Sequence, residues 1–262
     1  MTVLFDLHTH STYSSGGALI RHAKGSVLQN VQTAASKSIG VGISDHGPGH
    51  SFFGLNPKKY ARLNSEIEAA NSAAGRRLAL LGVEANLMDA DGRTDIDLLP
   101  VQPEIYLMGY HKGVRISTKA GRALLLPSLF APKKSREVMT ALERYPIDVL
   151  THPGAYVPVD MRRIASAAYR LGVVLELNDK HPLSGDDIRT ALAAGAHFVL
   201  SSDAHSPENV GRVNRAVGEA KRAKVPKEKI VNSGAYKFDR GLRIDRLGDW
   251  VTELTHFSTG QK

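Results

Sequence analysis

Short apolar runs alternate with amphipathic stretches along most of the chain. Val3–Phe5 reads as a first strand. After a candidate cap at Ser26, Leu28, Val31, Ala35 and Ile39 recur at helical spacing, and VGIS (41–44) follows as a second strand. Asn56-Pro57 puts a cap before a proline at the first helical position, opening a helix to about Ala74. LALLGVEANLM (78–88) and EIYLMGYH (104–111) read as strands, with the turn residues DADGR between them. The second half repeats the alternation: helix 135–145, strand 148–153, helix 160–171, strand 173–178, a helix to 194 capped by Ser184 and Asp187, and strand 197–205. Ser206-Pro207 then opens a helix with Val210, Val213, Val217 and Ala220 on one face.

About seven β-α units result. Strands alternating with helices imply a parallel sheet, and strands covered on both faces become near-continuous apolar runs, as here. The pattern predicts an α/β fold, a closed or nearly closed barrel of seven strands, with an open doubly wound sheet as the alternative. No linker, repeat or low-complexity segment interrupts it, so residues 1–257 are expected to form a single barrel domain, with 258–262 a disordered tail.

Composition narrows this picture. A length of 262 residues suffices for one α/β barrel and a sizeable core, and the 42% hydrophobic content is ordinary for a globular chain. There is no apolar run of roughly 18 residues that would span a membrane, and the N-terminus has no basic region followed by an apolar stretch. A cytoplasmic location is the expectation. The absence of cysteine rules out disulfides and thiolate metal sites. A net charge of +8 suits an anionic partner, either a phosphorylated metabolite or nucleic acid. The charge is concentrated: Lys112, Arg115, Lys119, Arg122, Lys133, Lys134 and Arg136 fall in one stretch without an acidic residue, and KRAKVPKEK (221–229) is a second cluster.

The candidate chemistry stands at the C-terminal ends of the expected strands, where parallel β/α barrels place their active sites. The first strand ends in DLHTH, with His8 and His10 two positions apart and therefore on one face. His46 follows in SDHG, Glu84 in GVEAN, His111 in GYH, His152 in THPG, Glu176 in LELN, and Asp203 with His205 in SSDAH. Imidazoles and carboxylates without thiolate suit zinc, manganese or iron. The six histidines with Glu84 and Asp203 make eight such ligands, more than one ion needs, so two or three are implied. Two adjacent ions form a clamp for displacement at phosphorus, with a metal-activated hydroxide as nucleophile.

The ordered set DLHTH, SDHG, GVEAN, GYH, THPG, LELN and SSDAH closely resembles the PHP (polymerase and histidinol phosphatase) family, particularly its stand-alone bacterial phosphatases. The resemblance runs from Phe5 to about Val213. It implies a distorted seven-stranded barrel with a trinuclear site that hydrolyses phosphoesters. His8, His10, Glu84 and Asp203 would bind the first metal. Glu84 would bridge to a second held by His111 and His152, and His46 and His205 would hold the third. Among these, Glu84, Asp203 and His205 would act in catalysis. The family usually supplies one more ligand just after the HxH, where this chain has Ser15 and Gly16. His22 in the following loop is expected to be a surface histidine.

Asp6 and Asp45 precede ligand histidines and are candidates to orient them, as is Glu176. His50 and His181 are loop candidates for a proton donor, and Lys112 and Arg115 for attracting the substrate phosphate. The glycines of GPG (47–49) and SSGG (14–17) mark turns near the rim. The leading function is a metal-dependent phosphomonoesterase of small phosphorylated metabolites. A nuclease is the alternative, disfavoured because the basic runs lack interleaved aromatics. A catalytically silent member of the fold is a further alternative.

Overall fold

The computed structural model describes residues 3–16, 22–118, 121–124 and 134–258. In chain order the elements are β1 (Phe5–Thr9), α1 (Val27–Ser36), β2 (Gly40–His46), α2 (Pro57–Ala73), β3 (Ala79–Asn86), β4 (Ile105–Gly109), β5 (Arg115–Thr118), β6 (Gly121–Leu124), α3 (Ser135–Arg144), β7 (Val149–Leu150), α4 (Met161–Leu171), β8 (Val174–Asn178), α5 (Gly185–Ala193), β9 (Phe198–Ser201), α6 (Asn214–Arg222) and α7 (Gly248–Ser258). Seven strands pair in parallel in the order β1-β2-β3-β4-β7-β8-β9, while β5 and β6 form a separate antiparallel hairpin. Covered on both sides by core and helices, the parallel strands are buried along their whole lengths.

The first and last strands meet, nearly closing the barrel. A parallel bridge joins Thr9 to Ala204, and the His10 amide donates to the Ala204 carbonyl at 2.8 Å. Lower in the same seam, the buried Asn232 amide group donates to the carbonyls of Phe5 and Leu200, both at 2.8 Å, and its Oδ1 accepts from the Leu200 amide at 3.1 Å. One side chain thus does the work of missing ladder bonds. The N-terminal mouth is filled by aromatics: Phe5 lies 5.6 Å from Trp250 of α7 and 6.4 Å from Phe238, centroid to centroid. The opposite mouth, where the strands end, is free for chemistry.

The nearly closed barrel agrees with the pattern of apolar runs; two local expectations do not hold. Leu28 faces solvent, because the buried stripe of α1 is Val27, Asn30, Val31 and Ala34, although Ser26 caps the helix as expected. The helix expected from Ser206-Pro207 is a 3-10 turn over Pro207–Asn209, and α6 begins only at Asn214. Gly211 interrupts it at a φ of +72°, with its amide donated to Asp6 at 2.8 Å. Helix α7 extends through Ser258, and the rest of the expected tail (259–262) lies outside the described residues. Among the described residues, no helix is long and apolar enough to cross a membrane.

Candidate metal centre

Glu84 is the centre of the assembly. It stands near the end of β3, buried, and imidazoles from four other strands converge on it. Its Oε1 lies 3.0 Å from His111 Nε2 and 2.9 Å from His152 Nε2. Its Oε2 lies 3.2 Å from His8 Nε2, 3.6 Å from His10 Nε2 and 3.1 Å from His46 Nδ1. The two oxygens therefore face different sets of nitrogens. Asp203 Oδ1 completes the His8–His10 side, 3.4 Å from His10 Nε2 and 3.9 Å from His8 Nε2. His205 reaches back to the same oxygen at 3.3 Å. All eight expected ligand residues are brought together at the C-terminal mouth.

Local backbone geometry supports this convergence. His152 and Asp203 hold positive φ values of +28° and +51°, sparsely populated for residues with a side chain. Hydrogen bonds hold these conformations: the His152 amide donates to Glu176 Oε2 at 2.7 Å, and Asn178 Nδ2 donates to Asp203 Oδ2 at 3.3 Å. Glu176, expected as a ligand-orienting carboxylate, also accepts from His8 Nδ1 at 2.6 Å. That bond leaves the His8 Nε2 lone pair pointing into the cluster.

The other two orienting candidates act differently. Asp6 accepts from the Ser202 amide and hydroxyl and from Gly211, and Asp45 from the Ser11 amide and hydroxyl. Both tie loop backbone together and touch no imidazole ring by hydrogen bond. Ser15 turns away, its hydroxyl donating to the Ala23 carbonyl at 2.8 Å. In its place His22, expected on the surface, stacks on Phe53 at 4.1 Å and brings Nε2 to 2.7 Å from His205 Nε2.

The electrostatics divide the cluster: against their burial, Glu84 and Glu176 hold His8 well above the ordinary imidazole range, and Glu84 raises His152. Burial would push the Glu84 carboxyl up, but the His111 and His8 imidazoles beside it prevail and hold it well below the usual carboxylate range. Asp203 is likewise lowered against its burial by His8 and His10. Burial holds His10 and His46 well below the ordinary imidazole range, reinforced by His205 beside His10 and by His10 beside His46. His22 is pushed down to about 3, first by burial and then by His205. His50 and His181 each fall to about 4, mainly through burial.

Neutral imidazoles and ionised carboxylates are the forms that bind metal. Glu84 Oε2, His46 Nδ1 and His111 Nε2 are buried without a hydrogen-bond partner, which normally costs about 1–3 kcal/mol each. Among the described residues, three groups have ligand atoms within 4.8 Å of one another: His8, His10 and Glu84; His46, Glu84 and His111; and His10, His46 and His205. Acceptors facing acceptors around unsatisfied buried atoms fit divalent cations, and the nitrogen–oxygen donor set suits zinc, manganese or iron.

A cavity of about 160 Å³ opens over Glu84, His111, His152, Asp203 and His205. Lys112 borders it, with its ammonium 5.3 Å from the centroid of the Tyr156 ring. Arg115 lies on β5, whose side chains fall outside what the structure describes, as do Lys119 and Lys133 of the same basic stretch. Lys180 also borders the cavity, with Nζ 3.3 and 3.4 Å from the two ring nitrogens of His205 and 3.8 Å from Asp203 Oδ1. Sequence reasoning passed over Lys180 and Tyr156. The only signal for Lys180 was its place two residues beyond LELN, at the same rim as the ligands. Tyr156 donates to or accepts from His181 Nε2 at 3.0 Å, beside a second groove of about 450 Å³ lined by Pro153, Met161, His181 and Arg215.

No family model matches the chain. It is 25% identical over 263 residues to a probable phosphatase of Caldanaerobacter subterraneus subsp. tengcongensis, covering 94% of this chain and 93% of that one. It is 28% identical over 246 residues to a probable phosphatase of Shewanella sp. strain MR-4, covering 87% and 86%. Among solved structures, the histidinol phosphate phosphatase of Lactococcus lactis, complexed with zinc, L-histidinol and phosphate, matches with a TM-score of 0.52. That match covers 85% of this chain and 94% of the other at 15% identity, and it shows a shared fold.

Proposed function

We propose that this protein is a metal-dependent phosphoesterase, and more narrowly a phosphomonoesterase acting on small phosphorylated metabolites. The observation that carries this reading is Glu84, a buried carboxylate whose two oxygens face separate sets of imidazoles at the floor of an open cavity. His8, His10 and Asp203 would hold one ion with Glu84 Oε2, and His111 and His152 a second with Oε1. His46, His205 and His22 supply donors for a third. Divalent ions bound there acidify a coordinated water and offset negative charge on a phosphoryl group.

The remaining roles belong to the chain. Glu176 fixes His8 through Nδ1, and Asn178 steadies both Glu176 and Asp203. Lys112 and Lys180 bring positive charge to the cavity mouth, where a phosphate would enter. A cavity of about 160 Å³ suits a phosphoryl group at its floor, and the adjoining groove beside His181 offers room for the alcohol portion of a small ester. The probable phosphatases at 25% and 28% identity add support for the reaction class.

The test is turnover after chelator stripping and reloading with manganese or zinc, using p-nitrophenyl phosphate beside bis-p-nitrophenyl phosphate. Metal-dependent release from the monoester, abolished by His10→Ala, is expected. Preference for the diester would move the assignment to a phosphodiesterase or nuclease. No turnover with either ester from a metal-loaded chain would point to a silent member of the fold.

A further inference from the structure

Asp95 is a buried acid that opens a 3-10 turn after β3, and none of the functional roles above uses it. Its Oδ1 accepts from the Asn86 backbone amide at 2.7 Å and its Oδ2 from the Gly49 amide at 2.7 Å. The Asn86 side-chain amide also meets Oδ2, at 2.5 Å. The glycines of the GPG turn make room for this carboxylate. A Cβ at Gly47 would stand 2.5 Å from both of its oxygens, and one at Gly49 would stand 2.9 Å from Oδ2.

The Asn86 atom that faces Asp95 lies 3.3 Å from the Gly47 carbonyl as well. A carbonyl only accepts, so that atom is the NH₂, and the amide orientation is settled by chemistry rather than by choice. Asn86 Oδ1 therefore faces His111 Nδ1, at 2.8 Å. An amide oxygen only accepts too, so His111 must carry its proton on Nδ1. Its Nε2 is then left as the atom that looks toward Glu84 Oε1 at 3.0 Å, buried and without a hydrogen bond.

We infer that Asp95 and Asn86 are positioning residues, a buried carboxylate–amide relay that locks His111 in the Nδ1–H form and aims its Nε2 lone pair at the metal centre. The relay also anchors the GPG turn that carries His50 to the cavity. It rests on the metal-centre reading for its purpose and for the bare Nε2; the proton on Nδ1 follows from the hydrogen bonds alone. The same device serves His8 through Glu176, so two imidazoles on opposite oxygens of Glu84 are held by buried acids, one directly and one through an amide.

Long-range nitrogen–proton correlation spectra of the chain labelled with ¹⁵N-histidine test this, with His111 assigned from the signals lost in His111→Gln. The expected result is a protonated Nδ1 on His111 with and without zinc. A bare Nδ1 in the wild-type chain would overturn the inference, whatever the variants do. In Asp95→Asn, zinc affinity by chelator competition should fall about 10–100-fold, and His111 should populate both tautomers, with the metal-free melting profile still cooperative. Unchanged affinity and an unchanged tautomer in that variant would overturn it. Failure of the wild-type chain to take up zinc would instead strike the metal centre, while the tautomer of the metal-free chain would still decide the relay.

Discussion

Glu84 concentrates the residue-scale argument, because its two oxygens divide five imidazoles between them. Ionised, and without a hydrogen-bond donor at its buried Oε2, it is set up to receive a cation. The residues around it differ in how visible they are in the sequence. The HxH pair, Glu84, His111, His152 and the DAH that follows β9 could be read because each ends or follows an apolar run, so strand ends aim them alike. His22 could not, because it reaches His205 through loop contacts that no periodicity encodes. Lys180 and Asn86 were missed for a related reason: a lysine or asparagine after a strand is ordinary until its partner is known. Two outcomes follow. Glu176→Gln should weaken metal binding about 10–100-fold in chelator competition, since His8 loses the charge that orders it. Lys180→Ala should lower kcat/KM roughly 10–100-fold while leaving metal content unchanged, the loss of about 1.5–3 kcal/mol expected for a charged hydrogen bond to phosphate.

At the scale of elements, the strand–helix alternation was legible from Val3 to about Ala220, and the exceptions have physical causes. The helix after Pro207 was expected too early because Gly211 breaks it, and the gain is an amide for the buried Asp6. The β5–β6 hairpin and α7 had no strong pattern to announce them. Nor did the β1–β9 seam, which depends on Asn232, a polar residue in the segment between α6 and α7. Asn232→Leu should therefore lower the stability of the metal-free chain by about 2–3 kcal/mol, because it leaves buried backbone groups unpaired, and a urea midpoint reads this directly. At the foot of β9, burial first, and then Lys229 and Arg240, push His197 down to about 4 from its ordinary 6.5, with Asp245 opposing. The folded chain thus resists a proton that the unfolded chain accepts. Stability from this residue is complete above about 6.5 and is lost as pH falls toward 4; His197→Gln should flatten that part of the stability–pH curve.

For the whole molecule, an aromatic plug closes one mouth of the barrel and a metal-binding cluster occupies the other. The second arrangement burdens the fold: buried acceptors and carboxylates are gathered where only cations can satisfy them. Metal should accordingly be a stabilising ligand, worth about 4 kcal/mol at a free concentration 1,000 times its dissociation constant, and chelation should lower the melting temperature. The net charge of +8 then acts at longer range, favouring encounter with anionic esters in a way that added salt weakens.

The central claim is that a cluster of ions around Glu84 carries out phosphoester hydrolysis. Titrating the stripped chain with zinc or manganese, while following bound metal and p-nitrophenyl phosphate turnover in the same samples, tests it most directly. Turnover should be absent from the metal-free chain and rise only as the second equivalent binds, and Glu84→Gln should abolish both the second equivalent and the rise. Full turnover in the stripped chain, or after a single equivalent that Glu84→Gln still binds, would contradict the account.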